Sequence, residues 1–551
     1  MRALKFVLAL GTSTSANIAC DTFDYVVIGG GTAGLTVAAR LSENANTTVL
    51  VLEAGEDRSE DINILAPGLL TSLYGDDRYD WNYHTVPQKH LNNHAIAHPR
   101  GKQLGGSSAI NFLWWTHASQ QDIDKWGLLG NKNWGWEALQ PLFAKSEHYL
   151  QPSAETAEAL DTDYIEPDLH GKTGPIETTF ADIYEPLDEA WPRTYGTLGL
   201  AVDGDPRNGI ALGGYTNLLN MDLKTRSRSY AVTTYLQDAR PRNNFHVLTG
   251  AHAQRILFDH ARDQPRVSGV TYIRNGTSHT VHARREVVLC AGAFGSPQLL
   301  ELSGIGNTRL LEKHGIKQVV ENENVGEGLQ DHVYVPLGYK VRPGIFTLDD
   351  FANDTLFNEA YEQYVANRTG LLATTSAMSA LLSLEQIDAH EYPGLQEIIE
   401  EYCSRPITNR SNDEHALQDV QQRKQSLLCA DIHNEAIMQE FAVPGGMSWQ
   451  EANDTTKLFA ANTAGNFFTI TAVLEHPYSY GSVHITSANG SEHPAIDPRY
   501  LSHPLDTKLL AAAALHLQEV VQTSPLSALL ESNGTMYHPS YHKLDTVNAE
   551  A

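Results

Sequence analysis

One short segment constrains this chain more than any other: Asp24-Tyr25-Val26-Val27-Ile28-Gly29-Gly30-Gly31-Thr32-Ala33-Gly34, followed by Val49-Leu50-Val51-Leu52-Glu53. Tyr25 to Ile28 form a continuous apolar run, which reads as a buried parallel strand. Gly29, Gly31 and Gly34 follow at once in G-x-G-x-x-G spacing, and Leu35, Ala38, Ala39 and Leu41 continue with helical periodicity. The three glycines do different physical work. Gly29 turns the chain tightly, Gly31 lets a diphosphate approach the backbone, and Gly34 lets helix and strand pack closely. The free N–H groups at the helix start, with the positive end of the helix dipole, suit that diphosphate. Glu53 closes the second strand about 20 residues on, where a carboxylate accepts hydrogen bonds from a ribose diol and repels a 2′-phosphate. Strand, turn, helix, strand and acid together predict a dinucleotide site; they leave NAD and FAD both open.

Bulk properties narrow the alternatives. A chain of 551 residues accommodates two domains, and 41% apolar content suits an ordinary globular core. With 39 basic against 66 acidic residues the net charge is −27, which disfavours nucleic acid and anionic membranes as partners. Four cysteines (Cys20, Cys290, Cys403, Cys429) are too few for a disulfide framework and lack metal-site spacing. Cys290 sits in an apolar run and reads as a buried thiol, whereas Cys403 and Cys429 are free to pair if the environment is oxidising. Residues 1–20 read as a signal peptide, with Arg2 and Lys5 before a short apolar stretch and small residues. Asn46, Asn275, Asn353, Asn367, Asn409, Asn453, Asn489 and Asn533 are N-x-[ST] acceptors, consistent with a secreted glycoprotein; a cytoplasmic location is the alternative. No apolar run reaches the roughly 18 residues of a membrane span.

Along the chain, residues 244–290 alternate in four strand-like runs and suggest a small β-meander within the nucleotide-binding unit. Polar helical stretches (358–365 and 416–428) and strand-like runs at 467–474 and 481–485 suggest a second unit built on an antiparallel sheet. The expected class is α/β, α+β overall. It comprises a Rossmann-like domain over residues 21–334, a substrate domain over 335–490, and a partial return to the first domain over 491–551.

Beyond the βαβ unit, the chain resembles the glucose–methanol–choline (GMC) family of flavin oxidoreductases. Gly101 to Asp124 is similar to that family's first signature, including Gly105-Gly106-Ser107-Ser108, Asn111, Trp115, Ala118 and Asp124. Gly292 to Gly306 is similar to its second. Asn324 to His332 resembles a further family segment, with Gly328 where Asn is more usual, as does Ile496 to Asp506. The resemblance implies FAD, noncovalently bound because no histidine adjoins Asn111. It places Thr32 and Ala33 at the diphosphate and Glu53 and Ala54 at the adenosine ribose. Backbone groups of Asn111, Phe112, Leu113 and Trp114 would lie beside the flavin ring, and Ala253 at the adenine. The implied reaction is oxidation of a small-molecule alcohol by hydride transfer to flavin N5, in secondary metabolism; no metal is implied and the oligomeric state stays open.

The family's late His-Pro-x-Gly-Thr-x-x-Met segment, which carries its catalytic histidine, has no counterpart here. His538-Pro539 is followed instead by Ser540-Tyr541-His542-Lys543-Leu544. No catalytic residue is therefore assigned; His117, His252 and His332 have nothing to place them at the flavin. The chain reads as C-terminally truncated, with an unpaired sheet edge and weak FAD retention. A non-catalytic remnant and a flavin-containing hydroxynitrile lyase are the alternative readings.

Overall fold

The computed structural model describes residues 21–259, 264–388, 400, 403–404, 435–461 and 465–531. The expected signal peptide, Cys20, Cys429, Asn409, Asn533, the helix at 416–428, His538 and His542 all lie outside the described residues.

In chain order, the first elements are β1 (Thr22–Ile28), α1 (Thr32–Leu41), β2 (Val49–Leu52), α2 (Pro186–Leu198) and β3 (Gly213–Thr216). The chain continues through β4 (Phe245–Leu248), β5 (His252–Asp259), β6 (Arg266–Arg274), β7 (Thr277–Leu289) and α3 (Gly292–Leu302). Then come β8 (Val333–Lys340), β9 (Met378–Leu382), β10 (Met438–Val443), β11 (Phe467–Leu474) and α4 (Pro504–Gln522).

The first sheet has six strands in the order β4-β2-β1-β7-β6-β5. β1 and β2 run parallel in the register Tyr25↔Val49 to Ile28↔Leu52, so both strands end level and deliver Gly29 and Glu53 to the same edge. Every residue of β2 is buried, the pattern of a strand covered on both faces. α1 covers one face through Leu35, Ala38 and Ala39, all buried at helical spacing.

The meander is smaller than the four sequence runs imply. Only β5, β6 and the first part of β7 are antiparallel. Phe245 to Leu248 instead pair in parallel with β2 at the sheet edge, and Glu286 to Leu289 pair in parallel with β1. Short apolar runs look alike in both settings; long-range pairing decides between them. Among the described residues, no strand pairs with Glu286 to Leu289 on the side away from β1.

The second sheet is antiparallel throughout, ordered β8-β11-β10-β9-β3. Its edge strand β3 comes from residues 213–216, so this sheet is not confined to residues 335–490. Phe468, Ile470, Ala472 and Leu474 alternate along β11 and meet Leu509, Ala513, Leu517 and Val520 of α4 in one core. α4 begins where Pro504 occupies the first turn and His503 Nδ1 accepts the Leu505 N–H. The described part of 491–551 thus packs largely on the antiparallel sheet, contrary to the expected return to the nucleotide-binding domain: an apolar stripe reports that a helix is covered, not which sheet covers it.

A buried polar cluster interrupts that core. Glu440 of β10 is fully buried, accepts the Tyr195 hydroxyl at 2.5 Å, and lies 2.7 Å from His516 Nδ1. Burial lowers the His516 pKa, but Glu440 outweighs it and holds the imidazole above its ordinary range. The triad ties β10 to α2 and α4.

Candidate dinucleotide site

Where β1, β2 and β7 end, a cavity of about 500 Å³ opens between the first sheet, α1 and α3. That is the size range of small-molecule and cofactor pockets. Its floor is the turn from β1 into α1. Gly29 has φ +100°, and a methyl added there would lie 2.3 Å from the Cys290 carbonyl oxygen. Gly34 is as constrained: a Cβ would fall 1.9 Å from Gly29 O, so helix and strand touch with no room for a side chain. Gly31 differs. Its backbone is extended, and the nearest atom to an added Cβ is Gly106 Cα at 3.7 Å. The space over Gly31 is therefore open to a ligand. α1 starts at Gly31 with no side-chain cap and no acidic residue in its first turn. Its first N–H groups are thus available to an anion, and Thr32 and Ala33 line the cavity beside them.

A second uncapped helix start, Ala291-Gly292-Ala293 of α3, lines the same cavity. The glycine turn at Gly105-Gly106 folds onto the first one, with Gly31 and Gly105 bridged and Gly105 N donating to Gly30 O at 2.8 Å. Ser107 then faces the cavity. The sequence showed this second turn but not its position over the first.

Glu53 and Ala54 line the wall at the end of β2. The Glu53 carboxylate accepts the Gly30 N–H at 2.7 Å and the Gly55 N–H at 2.8 Å, one on each oxygen. Each oxygen keeps a further lone pair for a ligand hydroxyl. Burial pushes its pKa up to about 7, against the lowering effect of those backbone bonds. A raised carboxyl pKa contributes to folding fully below the ordinary value of 4.5 and loses that contribution as pH rises through about 7. A ribose diol donating to Glu53 reverses the preference, because it favours the ionised form. FAD affinity is therefore expected to rise with pH up to about 7 and then level off. In Glu53→Gln the profile should flatten and affinity fall by about 10–100-fold, from loss of hydrogen bonds to a charged acceptor. Flavin-fluorescence titrations of apoprotein at a series of pH values measure both; a sloping profile in the variant would refute the assignment.

Ala253, at the start of β5, lines the far end of the cavity beside His252. There the wall is aromatic: the rings of Trp81 and His252 lie 5.5 Å apart, and Arg100 stands 4.9 Å over Phe294. Sequence reading missed Trp81, Arg100 and Phe294 as site residues, because nothing in their local pattern points at β5. His252 is held below its ordinary pKa by burial and then by Lys102.

Asn111, Phe112, Leu113 and Trp114 do not line this cavity. They run on from the Gly105–Ser108 turn: Asn111 is exposed, while Leu113 is fully buried with φ +65°. The fully buried Arg228 holds Asn111 Oδ1 at 2.5 Å. Trp114 reaches the antiparallel sheet, donating from Nε1 to Ser376 O at 2.7 Å, with its ring 5.6 Å from that of Phe441. His332 is half-exposed, and His117 is half-buried outside the cavity, its ring beside those of Trp115 and His170. Cys290, which also lines the cavity, is a half-buried free thiol whose pKa burial raises. One metal-type ligand group occurs among the described residues: donor atoms of Asp122, Glu435 and His476 lie within 4.8 Å of one another. None of the three lines the cavity.

The glycine floor, two uncapped helix starts and a buried acid at the end of β2 fit the adenosine diphosphate portion of FAD. Residues 23–334 match the GMC oxidoreductase family. Dehydrogenase mpl7 of Monascus purpureus is 35% identical over 523 residues, which cover 92% of this chain and 82% of that protein. Patulin synthase of Aspergillus clavatus is 30% identical over 533 residues, covering 93% and 77% respectively. A solved FAD-dependent oxidoreductase from Chaetomium thermophilum superposes with a TM-score of 0.80 at 26% identity, covering 92% of this chain and 83% of that one. Family match and cradle geometry converge: the chain belongs to the GMC oxidoreductase family, whose cofactor is FAD.

Proposed function

We propose that this chain oxidises an alcohol, a CH–OH donor, in the making of a secondary metabolite. The observation that carries the reading is the cradle at the end of β1, joined to a family match over residues 23–334. When bound, FAD supplies the hydride acceptor at flavin N5. The chain's own residues bind and orient it. α1 N–H groups hold the diphosphate, Glu53 the ribose, and the aromatic wall with Ala253 the adenine. The Asn111–Trp114 segment is the stretch we assign to the ring's polar edge. Trp114 packed on Phe441 joins that segment to the antiparallel sheet. Relatives called dehydrogenases support an oxidation, and one called patulin synthase supports a biosynthetic setting.

The test is spectroscopic. Purified full-length protein is expected to carry a flavin absorbance band that bleaches when aryl or aliphatic alcohols are added without oxygen. Bound flavin that no alcohol bleaches would favour a non-redox lyase; a preparation that takes up no flavin would remove the basis of the proposal.

A further inference from the structure

Among the described residues, none of the N-x-[ST] asparagines lines the dinucleotide cavity. Asn409 and Asn533 lie outside the described residues; in the other six the asparagine is exposed every time. Asn46 lies in the turn between α1 and β2, and Asn275 at the tip of the β6–β7 hairpin with φ +49°. Asn353 caps the helix Asp354–Asn367 and Asn367 ends it. Asn453 precedes the short helix Thr455–Leu458, and Asn489 sits in the loop between the strands Gly481–His484 and Ala495–Asp497. At Asn353 and Asn489 the side-chain Oδ1 accepts the N–H of the acceptor's own hydroxyl residue, Thr355 at 3.0 Å and Ser491 at 3.1 Å. The Nδ2 is the atom modified. A glycan is bulky and hydrated, so a folded chain carries one only where the amide reaches water away from core and cofactor.

A separate observation concerns the compartment. Cys403 is disulfide-bonded, whereas Cys290, inside the nucleotide-binding unit, is a free thiol. Disulfides persist in oxidising compartments such as the secretory lumen and are rare in the cytosol. N-glycans are attached in that same lumen.

We infer that the chain matures in the secretory pathway and that Asn46, Asn275, Asn353, Asn367, Asn453 and Asn489 are N-glycan acceptors. In the transfer, Asn Nδ2 forms a bond to the anomeric carbon of an oligosaccharide carried on a lipid diphosphate. The anomeric C–O bond to the diphosphate breaks, lipid diphosphate leaves, and one amide proton is released; nothing is oxidised or reduced. The co-reactant is that oligosaccharide lipid, supplied by the host's transferase.

The full chain with its own N-terminus is expressed in a eukaryotic host. Its peptides are treated with a glycan-removing amidase in heavy-oxygen water, which turns each glycosylated Asn into labelled Asp. Label is expected at all six asparagines, and Asn275→Gln should remove its own label while leaving the other five. A non-reducing peptide map of the same sample reports whether Cys403 is oxidised. Oxidised Cys403 with these asparagines unlabelled overturns the acceptor assignment. Reduced Cys403 without label overturns the compartment as well.

Discussion

Replacing Gly31 with leucine is expected to weaken FAD binding by at least about 100-fold, or ~2.7 kcal/mol, while leaving the fold intact. The separation of the two effects comes from the geometry of the three glycines. At Gly29 the positive φ of 100° and the 2.3 Å approach of Cys290 O mean that any side chain disturbs the turn itself. At Gly34 a Cβ would strike Gly29 O at 1.9 Å and drive helix from strand. Gly31 alone has ordinary φ and free space, with only Gly106 Cα at 3.7 Å. Its added side chain occupies the volume in front of the α1 N–H groups, where the diphosphate has to sit. The measurement is a fluorescence titration of apoprotein with FAD, with circular dichroism and the urea midpoint as controls on folding. Affinity within about threefold of the parent chain would mean that the diphosphate lies elsewhere.

The largest stability effect is expected far from that cavity. Glu147→Ala should cost about 3–5 kcal/mol, because it strands a buried cation. Glu147, His170, Asp205 and Arg207 have side chains no more than 1% exposed. Glu147 pairs with the Arg207 guanidinium, whose Nε and Nη1 have no other partner, and accepts Thr178 Oγ1 at 3.0 Å and Gly171 N at 3.1 Å. His170 bridges the two acids, with Nδ1 3.2 Å from Glu147 and Nε2 2.8 Å from Asp205. Burial pushes the Glu147 pKa up, but the His170 hydrogen bond and the Arg207 charge outweigh it and hold the carboxyl well below its ordinary range. A depressed carboxyl pKa stabilises the fold above the ordinary value of 4.5 and loses that contribution as pH falls through the folded value. Glu147→Ala should therefore be most destabilised near neutral pH and converge on the parent chain in acid. Removing Arg207 as well should recover part of the loss, since the double variant leaves no unpaired cation. Urea denaturation of the two single variants and the double variant closes the cycle. A single-variant cost below about 1 kcal/mol would show that the network contributes no net stabilisation.

Much of the nucleotide cradle is legible in the sequence, because its signals are local. A turn with φ near +100° admits little but glycine, and a strand buried on both faces writes an unbroken apolar run. Glu53 is legible too, since its position at the end of β2 follows from strand length alone. Phe245 to Leu248 read as part of a meander, because a four-residue apolar strand looks the same beside a parallel or an antiparallel neighbour. Trp81 and Arg100 carry no signal of their own. They reach the cavity only because the Gly105–Ser108 turn folds back over Gly31 and carries its neighbours with it. Glu440 and His516 are equally hidden, one an acid in a strand and the other a histidine in an alanine-rich helix, 76 residues apart.

By itself, the amino-acid order determined that this chain builds a dinucleotide-type cradle, and which glycines and acid stand at its turn. Those choices are made by backbone stereochemistry and by periodicity within some thirty residues. Only the tertiary structure decided that α4 covers the antiparallel sheet, that β3 joins that sheet from far upstream, and that an aromatic wall closes the cavity at the start of β5. An apolar stripe or a lone charged side chain specifies that it must be covered or paired. The partner is settled only when the whole chain packs at interior density, where one arrangement satisfies every buried group at once.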